Sequence, residues 1–486
     1  MRSLVPAETL VYLETNDLAA ALQPIVDAKP FVEAAKSKPD LSALKGIQLA
    51  VAVTGFETKE EVLTDEQSVG RIQPRFVAIA ETYAWNYQAV AFAETKLGQF
   101  VTDLYGTDVT EERVDSANGK ELTWISADGR KSYALVTGSV IYFTNDETGI
   151  AKCLAVKRGE ADSILKTDKI KPSETGTLAR GYVTTEGVAQ IANIVGLKFA
   201  TEASEESEIR SAIAGIVPKL IRGTITDVTW TMTKGELGIE DKYAIGMPPD
   251  IANVFTETMV ATETTDPVPL QFVPVGTRSV TQYNIKNPQV AWRSMLSTSK
   301  KLTDTLGVDA HQFISASTFW PYSIADGEAF LSAVGPGIVT VRNDEEETQA
   351  VISRVNSKEL PAKSYYPDVV HAAPVFIQTE NSETVVLQGD SEMTLVCQKA
   401  HQSGSNMKAD TRFSGKSEGV PSARTLVRDE IVTSQIVDIL SAKNADASKA
   451  VSTYFTETRF TKSGMERRTV SDFGLIGQII AQLSDD

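Results

Sequence analysis

The sequence predicts an α+β protein of two tandem, internally similar domains, each mainly antiparallel sheet with packed helices. Three observations carry this. Short β-rich runs and amphipathic stretches follow one another irregularly, without the strict strand–helix alternation of a doubly wound fold. Four segments of the first half recur in the same order in the second. Between the halves, Thr262-Glu263-Thr264-Thr265-Asp266-Pro267-Val268-Pro269 is polar and carries two prolines that end the helical run Ile251 to Met259. The boundary falls there, giving domains 1–264 and 265–486.

The elements follow in order. Thr9 to Glu14 is β-rich, and Asn16-Asp17 can cap a helix carrying Leu18, Leu22 and Ile25. Gly46 to Val53 and Arg75 to Ala80 are apolar runs suited to neighbouring antiparallel strands, with an acidic loop expected around Glu60 to Gln67. A helix from about Tyr87 to Leu104 would bury Val90, Phe92, Leu97, Phe100 and Val101. Strands are expected at Val109 to Val114, Leu122 to Ser126 and Lys131 to Phe143, with Ala127-Asp128-Gly129-Arg130 turning the last two into a hairpin.

The internal repeat rests on four pairs. Leu4 to Thr9 with Asn16 matches Phe272 to Thr277 with Asn284. Val140 to Glu147, running on through Cys153 to Gly159, matches Val385 to Glu392, running on through Cys397 to Gly404; both read as strand, Asn/Asp cap, helix. Leu178 to Thr185 with Ile191 matches Leu426 to Thr433 with Ile439. Thr233-Lys234 matches Thr461-Lys462, each after a β-rich segment and before a helix near its domain's end.

Charge and cysteine content narrow the function. With 47 Lys+Arg against 64 Asp+Glu, the chain of 486 residues carries a net charge of −17. That sign opposes partners held by counterion release, so nucleic acid is excluded as a partner and anionic lipid is disfavoured. No apolar window reaches the length of a membrane span, and the start Met1-Arg2-Ser3-Leu4-Val5-Pro6 lacks a signal peptide's apolar stretch. Two cysteines and three histidines, His311, His371 and His401, leave no disulfide framework and no Cys/His zinc site. Cys153 and Cys397 are expected as buried free thiols.

Hydrolytic and phosphate-binding motifs fail on their surroundings. Gly415-Lys416-Ser417-Glu418-Gly419 matches a nucleophile elbow, but polar residues precede it, Pro421 follows and no histidine comes later. As a phosphate loop it has Asp410 where the first glycine belongs. Gly335-Pro336-Gly337 lacks the third dinucleotide-loop glycine at Thr340 and reads as a turn before a strand from Ile338 to Val341. Carboxylate pairs such as Asp103 with Asp108, or Glu111 with Glu112, are too common here to mark an acid/base dyad. The acidic runs Glu202 to Glu208 and Asp344 to Glu347 read as solvated surface. No catalytic, metal-binding or cofactor-binding residue is assigned, and no cofactor is expected.

Leu4-Val5-Pro6-Ala7-Glu8-Thr9-Leu10-Val11-Tyr12-Leu13-Glu14, Ser139 to Glu147, Gly181-Tyr182-Val183-Thr184 and the closing Phe473-Gly474-Leu475-Ile476-Gly477 together resemble a bacterial family known only as domain of unknown function 3352. The resemblance spans most of the chain, through structural motifs. It implies a location outside the cytoplasm, periplasmic or extracellular, with no established activity and no catalytic residue to carry over. Relatives of that kind usually open on a signal or anchor; the start of this chain lacks one, which leaves a processed form, or the cytoplasm, open.

The leading expectation is a non-enzymatic binding or scaffolding protein of the bacterial cell envelope, with a protein or lipid partner. Alternatives are a carrier of an apolar ligand such as a lipid between sheet and helices, recognised by an apolar cavity, and a hydrolase of unrecognised type, which would need buried carboxylates or a histidine converging in a cleft. One partner surface is singled out: Phe319, Trp320 and Tyr322, beside His311 and with Phe313 and Phe330 nearby, the densest aromatic group noted. Its plainer reading is packing on the second domain's core; the sharper one is recognition.

Overall fold

In the computed structural model the chain is described over residues 1–35, 37–64, 67–166, 170, 175–203, 207–304, 310–343, 348–356, 372–414, 419–429, 431–441 and 450–482. The first half supplies strands β1 (Val11–Thr15), β2 (Gln48–Thr64), β3 (Gln67–Glu81), β4 (Thr110–Ser116), β5 (Gly119–Ile125), β6 (Lys131–Thr137), β7 (Val140–Thr144), β8 (Thr177–Val183), β9 (Val228–Lys234) and β10 (Ile239–Gly246). The second supplies β11 (Ser279–Asn284), β12 (Val334–Asn343), β13 (Thr348–Val355), β14 (Ala372–Gln378), β15 (Thr384–Gly389), β16 (Ala423–Asp429), β17 (Ser452–Thr461) and β18 (Gly464–Ser471).

All of these strands join one antiparallel sheet, so the fold is α+β. Following the pairings from one edge gives the order β4-β5-β6-β7-β3-β2-β1-β8-β9-β10-β18-β17-β16-β11-β12-β13-β15-β14. The order from β6 to β10 is therefore the order from β14 to β18, strand for strand, and β4 and β5 extend the first half alone.

The four paired segments occupy equivalent elements. Thr9 Oγ1 donates to the Pro6 carbonyl and Thr277 Oγ1 to that of Pro274, at 2.7 and 2.9 Å. The Ile164 amide donates to Val5 and the Met407 amide to Val273, each at 2.9 Å. β7 leads into the helix Gly149–Arg158, closed by left-handed Gly159, and β15 into Ser391–Ser403, closed by left-handed Gly404. Both cysteines are buried and unbridged, in cores that also pair Val5 with Val273 and Ile164 with Met407. Burial pushes each thiol up to about 12.

The halves meet where β10 pairs with β18, from Ile239↔Ser471 to Gly246↔Gly464. Since equivalent strands lie antiparallel there, a local twofold relation runs through the pair. Gly238 and Gly464, with φ of +141° and +140°, lie at related places: a Cβ would fall 2.6 Å from the Ser471 carbonyl oxygen at one and 2.1 Å from that of Ile245 at the other. Only glycine fits so close an approach. A core of Ala21, Ile25, Phe31, Trp230 and Ile239 with Ile436, Val437 and Phe473 packs both halves together beside this seam.

Several local expectations change. Asp17 caps the helix Leu18–Asp27 by accepting from the Ala20 amide, as its position predicts. Glu60 to Gln67 is not a loop throughout: β2 and β3 run on as a long paired hairpin, and residues 65–66 lie outside the described residues. The helix expected from Tyr87 to Leu104 is Asn86–Phe92 and Gly98–Tyr105 with a π-turn, Ala93–Leu97, between them. Lys131 to Phe143 is two strands, because Gly138 at φ +64° turns the chain. Gly335-Pro336-Gly337 lies inside β12 as an irregularity of the ladder, where a missing proline N–H is tolerated. His371, Asp344 to Glu347, residues 204–206 of the run Glu202 to Glu208, and Gly415, Lys416, Ser417 and Glu418 of the Gly/Ser motif lie outside the described residues.

Candidate functional site

Strand alternation builds two different surfaces at the seam. On one face Glu240, Arg468, Glu457 and Arg424 run across β10, β18, β17 and β16 as a ladder of alternating charge. Arg424 Nε lies 3.1 Å from Glu457 Oε1, both side chains almost fully buried, and Arg468 reaches Glu457 Oε2 at 3.7 Å while also bonding Glu240. Arg424 further donates to the Phe413 carbonyl. Each charge there is matched, which burial demands.

The opposite face holds the candidate site, a cavity of about 290 Å³ lined by Asp241 and Tyr243 of β10, Tyr454 and Thr456 of β17, Arg467 and Thr469 of β18, and Leu475 and Gln478 of the helix Gly474–Gln482. Neither half can make it alone. Asp241 faces Thr469 and Tyr243 faces Arg467 across the β10–β18 ladder. The Asp241 carboxylate, 1% exposed, accepts from Trp230 Nε1 at 2.8 Å and from the Leu475 amide at 3.0 Å. Burial raises its pKa to about 6, against the pull of those two donors. Burial likewise raises Tyr243, with the Asp241 charge adding to it and Arg467 opposing.

Tyr454 is 8% exposed, and burial pushes it up to about 12 against the opposing pull of Ser452 and Gln478, which lie beside its hydroxyl. The Thr456 and Thr469 hydroxyls bond each other at 2.9 Å. At the rim Arg467 is exposed and has no carboxylate within salt-bridge distance among the described residues. A guanidinium at the mouth, a buried phenol hydroxyl and a carboxylate about 7 Å along the strand, two residues at roughly 3.4 Å each, suit a small polar ligand. The lining contains one carboxylate and no histidine.

The expected partner surface divides. Phe319 ends the helix Ala310–Phe319 and is buried, edge to face with Trp292 at 4.8 Å and close over Gly327. Tyr322 is half-buried, its pKa pushed up to about 12 by burial. Trp320 is 56% exposed, so the plainer reading fails for this residue: Pro321 follows it in a single 3-10 turn, Trp320–Tyr322, which turns it outward. His311 is exposed, while the His401 ring stacks on Phe272 at 4.1 Å. Asp103, Asp108, Glu111 and Glu112 all lie on the surface. The cavity residues escaped the sequence reading, since Asp241 and Arg467 lie far apart in the chain; the Thr233-Lys234 and Thr461-Lys462 match was the available signal, because the strands that follow it meet at the seam.

No protein-family model matches the chain, and no curated protein matches it. Among solved structures it is similar to two crystal forms, IV and III, of TP0453. Each is 9% identical, with TM-scores of 0.27 and 0.26, covering 53% and 55% of this chain and 84% and 88% of that one. Likeness at that level carries no argument about fold or function. Among the described residues no helix is long and apolar enough to cross a membrane.

Proposed function

We propose that this chain is a non-enzymatic binding protein of the bacterial cell envelope, which takes a small carboxylate-bearing polar ligand into the seam cavity. The observation that carries the reading is a polar cavity shared between the two halves, with the exposed Arg467 at its rim and the Tyr454 hydroxyl and Asp241 carboxylate in its lining. Arg467 would hold the carboxylate, and Tyr454 and Asp241 would meet a hydroxyl or ammonium group at the other end. Ligand bound between β10 and β17–β18 would tie the halves more firmly, which is a scaffold's use of a ligand. The envelope location is supported by the family resemblance of Leu4 to Glu14, Ser139 to Glu147 and Phe473 to Gly477. A lipid carrier is less well served, because the cavity is small and polar.

The test is thermal unfolding against a panel of free amino acids and hydroxy acids. A ligand at about 100 times its Kd adds about 2.7 kcal/mol. At least one compound should raise the melting temperature of the wild type and leave Arg467→Gln unmoved. A panel that shifts neither, or both alike, overturns the assignment.

A further inference from the structure

Away from the seam, β3 is followed by Thr82-Tyr83-Ala84-Trp85-Asn86-Tyr87, the last two opening the helix Asn86–Phe92, and the three rings are 67%, 74% and 70% exposed. They are the most exposed aromatic side chains of the described residues, and they fall within five consecutive positions. Between Glu81 and Glu94 the chain carries no charged residue. The loop is held stiffly. Tyr83 adopts φ +54°, a region few non-glycine residues enter, with its amide donating to Glu81 Oε1 at 2.9 Å. Thr82 donates to the Ser139 carbonyl at 2.8 Å and accepts from the Ala84 amide, and Gln88 Oε1 accepts from the Trp85 amide at 3.1 Å.

We propose that Tyr83, Trp85 and Tyr87 form a docking surface for the interfacial zone of a lipid bilayer of low surface charge. A strained loop that presents three large rings to water needs an occupant that envelops them. Rings exposed by two thirds or more project from the surface, and a fluid interface closes around such projections, whereas a protein partner would need three pockets. Tyr and Trp carry an apolar body and a polar tip, the combination favoured at the boundary between headgroups and acyl chains. The chain's net charge of −17 sets the lipid type, since anionic headgroups would repel it. The surface is separate from the seam cavity, so the two proposals stand or fall independently.

The experiment is flotation of the full chain with phosphatidylcholine vesicles, comparing wild type with the triple variant Tyr83→Asn, Trp85→Ser, Tyr87→Gln. Asn tolerates the positive φ at 83, and exposed rings contribute little to stability, so the variant should fold with a nearly unchanged melting temperature. Wild type should float, adding phosphatidylglycerol should weaken binding, and the variant should lose about tenfold or more of its partitioning. Arg467→Gln should float like wild type. No flotation of the wild type, or equal flotation of the variant, overturns the proposal. So does a variant that floats normally but loses self-association in sedimentation equilibrium, which would make a second copy the occupant.

Discussion

Asp241 makes a prediction whose size follows from its surroundings. Its carboxyl titrates near 3.8 in the unfolded chain and is raised to about 6 in the fold, first by burial. For an acid with a raised pKa, the folded state holds the proton more tightly, so ionising it works against folding. The penalty is absent below about pH 3.8, grows between there and about 6, and is complete above it. At about 1.4 kcal/mol per pH unit, it amounts to about 3 kcal/mol at pH 7. Asp241→Asn removes the titration. Its carbonyl can still accept from Trp230, while its amide confronts the Leu475 N–H and loses that bond at every pH. Urea unfolding followed by circular dichroism from pH 4 to pH 7.5 reads the effect. The stability of wild type relative to Asp241→Asn should fall by about 2.5 kcal/mol as pH rises across that window, the first part of the penalty being present already at pH 4. A difference that stays flat would refute the burial argument, and a difference that grows with pH would reverse its sign.

The remaining predictions concern packing and charge. Phe319→Ala should lower stability by about 3–5 kcal/mol through the cavity left against Trp292 and Phe330, whereas exposed Trp320→Ala should stay within about 1 kcal/mol; thermal unfolding of both variants checks this. Arg424→Met should cost about 3–5 kcal/mol by stranding Glu457 in the interior, and Arg424→Met with Glu457→Leu should recover most of that loss, as a double-mutant cycle would show. Cys153 and Cys397 should resist alkylation in the native protein and both label after unfolding without reductant, read by mass spectrometry; failure of either to label when unfolded would mean a bridge.

Local chemistry was legible wherever a single residue type has one strong preference. Asp17 as a helix cap and the hairpin around Gly129 were both readable in that way. The repeat was legible because the same strand-cap-helix pattern recurs around Cys153 and Cys397. What stayed hidden depends on the partner across the ladder. The stretch from Glu60 to Gln67 looked like a loop because acidic residues are poor strand formers by type and its pairing shows only across the ladder, and Gly335-Pro336-Gly337 looked like a turn because proline in a strand is rare. Phe319 and Trp320 are neighbours of similar hydrophobicity with opposite fates, set by one 3-10 turn. Tyr83, Trp85 and Tyr87 were three aromatics in five residues without a charge between them, a signal present in the sequence and passed over. Asp241, Tyr243, Tyr454 and Arg467 gave no such signal, since each is one member of an ordinary alternating strand until β10 meets β18.

That meeting is the central claim, because the cavity exists only if the two halves share one sheet. Hydrogen exchange of the full chain, resolved to the β10 amides between Asp241 and Ala244, tests it most directly. Paired on both sides, by β9 and by β18, β10 should exchange as slowly as β9 and β17, opening only with the sheet. Fast exchange of the β10 and β18 amides that bond across the seam, beside slow exchange in β9 and β17, would show two separate edges and contradict the account.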